Sequence, residues 1–359
     1  MKFGGTSVAN INKIKNVANI VASVSPNNKL IVVLSAMAGV TNQMQSYINE
    51  IDSTEEIEND LLLTSGENIT IAILSAILKK KKIKSVPLLG WQVPIITDNF
   101  HQKAKILNID KSRIMKFFET NDIIVLAGFQ GITNEGYITS LGRGGSDTTA
   151  VAIASAVSAD RCDIYTDVEG VYSADPNIVP KARKITKLAF EEMLEMSSTG
   201  AKVLHTRSVE LAMKNNLVLQ VLSSLTKKPG TLILDDKKLI EKEIVSGVSY
   251  SKNESKITIS GIPDKPGISA KIFGLLASKN INVDMIVQNI SQDGISANIT
   301  FTVPNSEIIY AKKILQNDLS LIGYQSIKTD EKVSKISVIG MGMMSQSGVA
   351  QKMFKTLAE

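Results

Sequence analysis

The chain has 359 residues, of which 43% are hydrophobic and 21% charged, which is typical of a globular protein with two or three domains. The net charge of +5 is spread along the chain, so a nucleic-acid-binding surface is not indicated. The single cysteine, Cys162, excludes an intramolecular disulfide and a cysteine zinc cluster. No apolar run approaches the ~20 residues that span a bilayer, and no secretory signal is evident, so we expect a cytoplasmic protein.

The first 235 residues alternate between helical and strand patterns. Apolar side chains recur at helical spacing over residues 11–24, and the run Leu30–Leu34 then predicts a buried strand. The alternation continues with helices near residues 69–78, 148–157, 190 and 209, and with strands near residues 123–127, 163–168 and 218–222. Such a pattern is typical of a mainly parallel sheet between helical layers. We therefore predict an α/β fold for residues 1–235, an αβα sandwich.

The chain changes character after a polar segment that contains Pro229 and Gly230, and we place a linker at residues 236–243. Residues 244–330 then follow the order strand, helix, strand, strand, helix, strand, which is the ferredoxin-like βαββαβ arrangement. Residues 331–359 begin that order again, with a strand at 335–339 and a helix at 349–357. Because half a unit leaves an apolar face uncovered, we expect another segment or chain to complete it.

Two glycine-rich loops have the composition of anion-binding sites. Residues 4–7 (Gly-Gly-Thr-Ser) lie between Lys2 and the first helix, where backbone N–H groups can approach an anion; a plain tight turn is the alternative. The loop is not a Walker A sequence. Residues 141–149 precede a helix and contain Arg143, whose planar guanidinium suits a carboxylate; a capped surface loop is the alternative there.

Two further loops follow predicted strands, at the edge where open α/β sheets bind ligands. Residues 35–42 come directly after Leu30–Leu34, and Glu67 opens the next helix, where an ordinary helix-start glutamate is an equal alternative. Residues 165–172 supply a strand end, a turn and polar or aromatic groups. They can hold a nucleotide or can simply form turns.

Short motifs then occur in a recognisable order along almost the whole chain. They are KFGGTSV from Lys2, SAMAGVTN from Ser35, SGE from Ser65, GFQG from Gly128, LGRGGSD from Leu141, TDVEGVY from Thr166 and GAKVLH from Gly200. Together they resemble the aspartokinase family, which has the amino-acid-kinase fold. The resemblance implies an enzyme that uses ATP and Mg²⁺ to phosphorylate the side-chain carboxylate of L-aspartate, the first step of lysine, threonine and methionine biosynthesis.

The resemblance also implies roles for residues at matching positions. By this resemblance the catalytic residues are Lys2, Arg143 and Asp147, and no dedicated protein metal site is expected. Its aspartate pocket comprises Ser35, Thr41, Glu67, Phe129, Arg143 and Ser146. In that pocket Arg143 would hold the α-carboxylate and Glu67 the α-amino group. Its nucleotide site comprises Lys2, Phe3, Gly4, Gly5, Thr6, Ser7, Thr166, Asp167, Tyr172 and Lys202.

The C-terminal units resemble ACT domains, which in this family bind end-product amino acids at paired domain interfaces. The matching effector residues are Asp264, Gly267, Ile268, Ser269, Asn282, Val283, Asp284 and Gln288. The resemblance implies lysine, threonine or both as effectors, and a homo-oligomer built through ACT pairing. Residues 340–342 (Gly-Met-Gly) lack the third glycine of a dinucleotide site, so we reject that function.

Two competing functions stay open on the sequence. Another enzyme of the same fold, acting on glutamate or a carbamate, is disfavoured by the SAMAGVTN motif and by the ACT region. A catalytically silent regulatory subunit that binds amino acids is favoured by the short ends of the chain. Lys2, Glu67, Arg143 and Asp147 favour catalysis instead, and we predict an active aspartate kinase.

Overall fold

The computed structural model describes residues 1–201, 203–239, 243–291, 295–318 and 323–359. Two compact units divide the chain. The first comprises Met1–Val248 together with Val338–Glu359, and the second comprises Ser249–Ser337. This division differs from the boundaries drawn from the sequence, which grouped residues 331–359 as a separate regulatory unit. The physical reason is that Ile339 is packed in the core of the first unit.

The first unit is built on an eight-stranded sheet with the order β10-β12-β11-β9-β1-β2-β6-β3. Its strands are β1 (Lys2–Phe3), β2 (Leu30–Leu34), β3 (Ser85–Leu88), β6 (Ile123–Ala127), β9 (Cys162–Thr166), β10 (Lys187–Ala189), β11 (Leu219–Ser223) and β12 (Thr231–Leu234). All neighbours pair in parallel except β11 and β12. In the middle of the sheet, Phe3 is in register with Leu34 on one side and Tyr165 on the other.

Helices cover both faces of this sheet. Those that contribute to its apolar clusters are α1 (Ile11–Val24), α4 (Ser65–Lys80), α5 (Lys111–Phe117), α6 (Gly145–Ala156), α7 (Phe190–Ser198) and α8 (Thr206–Lys214). The unit also contains α2 (Val40–Glu50), α3 (Glu56–Leu63) and α11 (Val349–Ala358). Alternate residues of the strands enter two separate apolar clusters: Val32 and Leu34 join the cluster with α1 and α4, whereas Val33 joins the cluster with α6, α7 and α8. A strand that buries both faces must be apolar throughout. The predicted αβα sandwich is confirmed.

The helical stretch Glu56–Lys80 is the one helix in the described residues that is long and apolar enough to cross a membrane by length and composition. Half of its most apolar window is buried inside the fold, where Leu74 and Leu78 pack in the core. It occupies the position of a core helix.

A second, small sheet with the order β5-β4-β7-β8 lies in the same unit and was not predicted from the sequence. Its strands are β4 (Ile95–Thr97), β5 (Ile106–Ile109), β7 (Gln130–Ile132) and β8 (Ile138–Ser140). These strands have only three or four residues each. Such short segments have no readable periodicity, so only pairing with distant segments makes them strands. The end of β8 leads directly into the predicted Arg143 loop.

Two segments at the boundary of the first unit form what we call the crossing ribbon, residues 243–248 and 338–342. Ser246 N donates to Ile339 O at 2.8 Å, and Gly342 N donates to Glu243 O at 3.3 Å. Both segments converge on the buried carboxylate of Glu192 in α7, whose Oε1 accepts from Ser246 Oγ at 2.5 Å and from Met341 N at 3.0 Å.

The crossing ribbon also contacts a loop of the predicted nucleotide side. Val248 N donates to Ser173 O at 2.7 Å, next in sequence to Tyr172. Within the first unit, residues 246–248 and Ile339 are therefore held by hydrogen bonds as well as by packing.

The second unit contains a four-stranded sheet with the order β14-β15-β13-β16 and two helices. Its elements are β13 (Gly247–Pro263), α9 (Ile268–Ala277), β14 (Asp284–Ile290), β15 (Ser296–Val303), α10 (Ile308–Asp318) and β16 (Ser326–Ile339). This element order confirms the ferredoxin-like prediction. One detail was wrong: the strand expected near residue 324 and the strand expected at 335–339 are one continuous strand, β16.

Candidate active site

The predicted site residues gather at one edge of the large sheet, where β1, β2, β6 and β9 end. Parallel strands bring the loops after their carboxyl ends to a common edge, which is where open α/β sheets bind ligands. A pocket of about 560 Å³ lies there. The predicted residues that line it are Lys2, Gly5, Ser35, Thr41, Glu67, Phe129, Arg143, Ser146 and Asp147.

Lys2 and Asp147 form an ion pair in the floor of this pocket. Lys2 Nζ lies 2.7 Å from Asp147 Oδ1, and the two side chains are only 11% and 14% exposed. Asp147 stands in the first turn of α6, which begins after Gly144 in the left-handed conformation, with a φ of 72°. A carboxylate so placed fixes the ammonium group, and the free N–H groups of the helix start add positive potential beside it.

Gly5 allows the loop after β1 to touch the loop after β2. A Cβ atom at this position would lie 2.9 Å from Ala36 O, closer than side chains tolerate. The glycine is therefore needed for the close approach of the two loops rather than for an unusual backbone angle. Gly4 N donates to Tyr165 O at 3.4 Å, which ties the same loop to the end of β9.

Glu67 is buried, with 2% of its surface exposed, at the start of α4. Its Oε1 accepts a hydrogen bond from Ala36 N at 3.0 Å, whereas its Oε2 has no hydrogen-bond partner among the described residues. Burial raises the pKa of this carboxyl to about 7, and the hydrogen bond from Ala36 partly opposes the rise. A buried carboxylate oxygen without a partner, facing a pocket, suits a cationic group of a ligand.

Arg143 is exposed at the same pocket, and within the described parts of the chain no carboxylate pairs with it. Its guanidinium therefore remains available for a carboxylate of a ligand. Phe129 also lines the pocket and has a left-handed conformation, with a φ of 68°. Phe129 N donates to Thr149 Oγ1 at 3.1 Å, and Phe129 O accepts from Leu141 N at 2.9 Å. These bonds fix the aromatic residue against α6.

Two predicted nucleotide-side residues, Thr166 and Asp167, lie at the end of β9, the strand that pairs with β1. Thr166 Oγ1 donates to Asp167 Oδ1 at 3.0 Å. Ser7 Oγ lies 2.8 Å from Ser224 Oγ, and Ser224 N donates to Thr166 O at 2.9 Å. Ser224 was not predicted, although a polar residue just past a parallel strand, here β11, is the signal that could have found it.

Known proteins match the chain over its full length. A family model for the amino acid kinase family matches residues 1–223, and an ACT domain model matches residues 257–319. Aspartate kinase from Pseudomonas putida is 47% identical over an alignment of 361 positions, which covers 100% of this chain and 88% of that protein. Aspartokinase from Pseudomonas aeruginosa is 45% identical at the same coverage of 100% and 88%.

Solved structures of aspartokinases are similar as well. E. coli aspartokinase III in complex with aspartate and ADP has a TM-score of 0.81 at 26% identity, over 99% of this chain and 90% of that chain. The same enzyme in complex with lysine and aspartate has a TM-score of 0.75.

This chain belongs to the aspartate kinases of the amino acid kinase family. As an aspartate kinase it is an ATP-dependent phosphotransferase that carries an ACT domain. The roles assigned to individual residues stay predictions.

Some predicted residues of this aspartate kinase lie away from the pocket. The Phe3 side chain is fully buried and stacks on Tyr165, with ring centres 4.4 Å apart, so only its backbone can face a nucleotide. Tyr172, on the predicted nucleotide side, pairs with Lys184 in an isolated antiparallel β-bridge. Lys202 lies outside the described residues.

The predicted effector residues of the aspartate kinase lie around the start of α9 and along β14. Gly267 has a φ of 90° and precedes α9, and Ser269 Oγ donates to Gln288 Oε1 at 3.0 Å. The Asp284 carboxylate forms an ion pair with Lys335, which holds the pKa of Asp284 below its usual value. The remaining predicted residues are Ile268, the first residue of α9, and Asp264, Asn282 and Val283, in the loops that flank this helix.

Proposed function

We propose that this aspartate kinase transfers the γ-phosphoryl group of ATP to the side-chain carboxylate of L-aspartate, giving 4-phospho-L-aspartate and ADP. The observation that carries the proposal is one pocket that presents a lysine ion pair together with the Glu67 Oε2 oxygen and the Arg143 guanidinium, neither of which has a partner among the residues that the structure describes. An α-amino acid offers the complementary ammonium and carboxylate groups. The occurrence of aspartate and ADP together in E. coli aspartokinase III supports the same assignment.

Each group of the pocket has a proposed role. Arg143 binds the substrate α-carboxylate in two-point fashion, and Glu67 Oε2 receives the α-ammonium group. Lys2 neutralises the transferred phosphoryl group, and Asp147 holds the lysine in place at 2.7 Å. The remaining wall of the pocket consists of Ser35, Thr41, Phe129 and Ser146.

The chemistry requires positioning and charge neutralisation more than proton transfer. The acceptor carboxylate is already ionised, and its oxygen forms a bond to the γ-phosphorus while the bond from that phosphorus to the bridging oxygen of ADP breaks. The barrier comes from bringing two anions together in line. Lys2 and the backbone N–H groups at the start of α6 offset that repulsion.

The nucleotide is proposed to lie over residues 4–7 and the end of β9, against Thr166, Asp167 and Tyr172, with Lys202 as a further predicted contact. In this proposal Mg²⁺ binds together with ATP. Mg²⁺ is usually held by substrate phosphates and one or two carboxylates. The exposed carboxylate of Asp167 on the nucleotide side is compatible with that mode. When bound, the ion neutralises phosphate charge.

Feedback inhibition by lysine, threonine or both is proposed at the ACT unit. The occurrence of lysine in the complex of E. coli aspartokinase III supports an amino-acid effector. Asp284 offers a carboxylate that now pairs with Lys335, and a cationic effector would compete for it. The biosynthetic role in making lysine, threonine and methionine, the homo-oligomeric state and the cytoplasmic location belong to the same proposal.

The test is formation of acyl phosphate from L-aspartate with ATP and Mg²⁺, trapped with hydroxylamine as the hydroxamate. We expect turnover by the unaltered chain and a loss of kcat/KM for aspartate of about 100-fold in Arg143→Ala. Arg113→Ala, at an exposed arginine bonded to Gln92 O, is the matched control and keeps full activity. Turnover of glutamate but not aspartate would move the assignment to another substrate. A folded protein that binds lysine or threonine without any turnover would support the regulatory-subunit alternative.

A further inference from the structure

Asp60 is a fully buried carboxylate on α3, behind the wall of the candidate active site. Its Oδ1 accepts hydrogen bonds from Ser140 Oγ at 2.5 Å and from Gln102 N at 3.1 Å. Its Oδ2 accepts from Gln102 N at 3.1 Å and lies 2.8 Å from His101 Nδ1. A buried carboxylate is costly unless such bonds satisfy it, so removing one partner has a large effect.

The partners of Asp60 are the supports of the loop that carries Arg143. Ser140 ends β8, three residues before Arg143, and Ser140 O accepts from Ala104 N at 3.0 Å. A Cβ atom at Gly142 would lie 2.9 Å from Gln102 O, so the two backbones are in contact there. Residues 101–104 therefore form a shelf under the Arg143 loop, and Asp60 holds that shelf.

Arg207 holds the opposite side of the same shelf. Its guanidinium donates to Leu141 O and to Ala104 O, each at 2.9 Å. The loop at residues 141–144 is thus fixed from α3 through a carboxylate and from α8 through a guanidinium. The functional side chain between them, Arg143, is left exposed to the pocket.

Asp60 is also connected to the other end of the proposed substrate. Its backbone carbonyl accepts from Thr64 N at 3.1 Å and from Thr64 Oγ1 at 2.8 Å, at the junction of α3 and α4. Glu67 follows in the first turn of α4. One residue therefore contacts both the shelf of Arg143 and the turn that presents Glu67.

We propose that Asp60, with His101, is a positioning residue for aspartate: it sets the separation between Arg143 and Glu67 and so the fit of the α-carboxylate and α-ammonium groups. This inference rests on the proposed function of the pocket. The expected effect is selective. Loss of the Asp60 hydrogen bonds displaces the groups that bind the amino acid, whereas the nucleotide loops after β1 and β9 keep their own hydrogen bonds.

The test compares Asp60→Asn and His101→Phe with Asp110→Asn. Asp110 accepts bonds from Ser112 N, Ser112 Oγ and Arg113 N at the start of α5, none of them in the Arg143 loop, and is the matched control. At a temperature where all variants are folded by circular dichroism, we expect the KM for aspartate to rise about tenfold or more in both test variants. The KM for ATP and the control variant should change less than about twofold.

A double-mutant cycle on L-aspartate binding, measured by calorimetry, decides whether Asp60 acts through Arg143. In an Arg143→Ala background, Asp60→Asn should cause little further loss of affinity. Fully additive losses, or an equal rise of both KM values, would overturn the positioning role. His101→Phe keeps the test valid if Asp60→Asn fails to fold. Absence of aspartate binding by the unaltered enzyme would instead contradict the proposed function.

Discussion

Glu67 shows at the scale of one residue how function and stability oppose each other. Burial raises its pKa from 4.5 to about 7, so the folded protein binds this proton more tightly than the unfolded chain does. The stability of the ligand-free enzyme therefore falls as pH rises from about 4.5 to about 7. The pKa is raised because the carboxylate is buried, and among the described residues its Oε2 has no hydrogen-bond partner.

We expect Glu67→Gln to stabilise the ligand-free enzyme at pH 8 by about 1–3 kcal/mol, because the amide carries no buried charge. The same change should reduce aspartate affinity by about 100-fold, because the α-ammonium loses its counter-charge. Urea unfolding at pH 8 and at pH 5 measures the first effect, which should shrink to a minor part at the lower pH, where the folded enzyme keeps Glu67 protonated.

Glu58→Gln is the control for this prediction, because Glu58 is exposed on α3. Its unfolding free energy should change by less than about 0.5 kcal/mol at either pH. A Glu67→Gln enzyme that is less stable than the unaltered enzyme at pH 8 would show that the buried carboxylate is satisfied in the free protein.

At the level of elements, one buried carboxylate binds both segments of the crossing ribbon. Glu192 Oε1 accepts from Ser246 Oγ and Met341 N, while its Oε2 accepts from Ala189 N at 3.1 Å. These bonds join the start of β13 and the end of β16 to α7. Loss of the carboxylate would leave three donors without their partner.

We expect Glu192→Ala to lower the free energy of unfolding of the full chain by about 2–4 kcal/mol, measured by chemical denaturation. Glu195→Ala, at an exposed position of the same helix, should stay within about 0.5 kcal/mol. Hydrogen exchange at Ser246 and Met341 amides should rise only in the first variant. Equal losses in both variants would mean that the helix, not the ribbon, is weakened.

For the whole molecule, the important surface is the exposed edge strand of the sheet in the second unit. Every residue of β14 is exposed, including Met285, Ile286, Val287 and Ile290, and the strand ends the sheet. Edge strands with apolar side chains pair with other chains unless they are protected. This exposure supports the proposed homo-oligomer through ACT pairing.

We expect Ile286→Lys to reduce the mass in solution, measured by light scattering, towards that of a single chain, because a charge then enters the apolar contact. Ile178→Lys is the matched control, since Ile178 is 51% exposed and Ile286 is 55% exposed. The control should keep the mass of the unaltered protein. An unaltered protein that is already a monomer at high concentration would contradict the prediction.

The fold class and the family of this aspartate kinase could be predicted from its sequence. Continuous apolar runs such as Leu30–Leu34 and Ile123–Ala127, which are strands in the structure, can be recognised from the local sequence. The motifs around Lys2 and Arg143 are contiguous in sequence, so the resemblance was visible without coordinates. The predicted pocket residues could be named for the same reason.

Only the tertiary structure decided how those residues are held. The short strands β4, β5, β7 and β8 exist because distant segments pair, which no local pattern reports. Asp60 bonds to His101, Gln102 and Ser140, which lie 41, 42 and 80 positions further along the chain. Glu192 bonds to Ser246 and Met341. Both sets of bonds depend on the same long-range packing. A single carboxylate in a sequence looks like any other, and its energetic role arises from burial and from the donors that the fold brings to it.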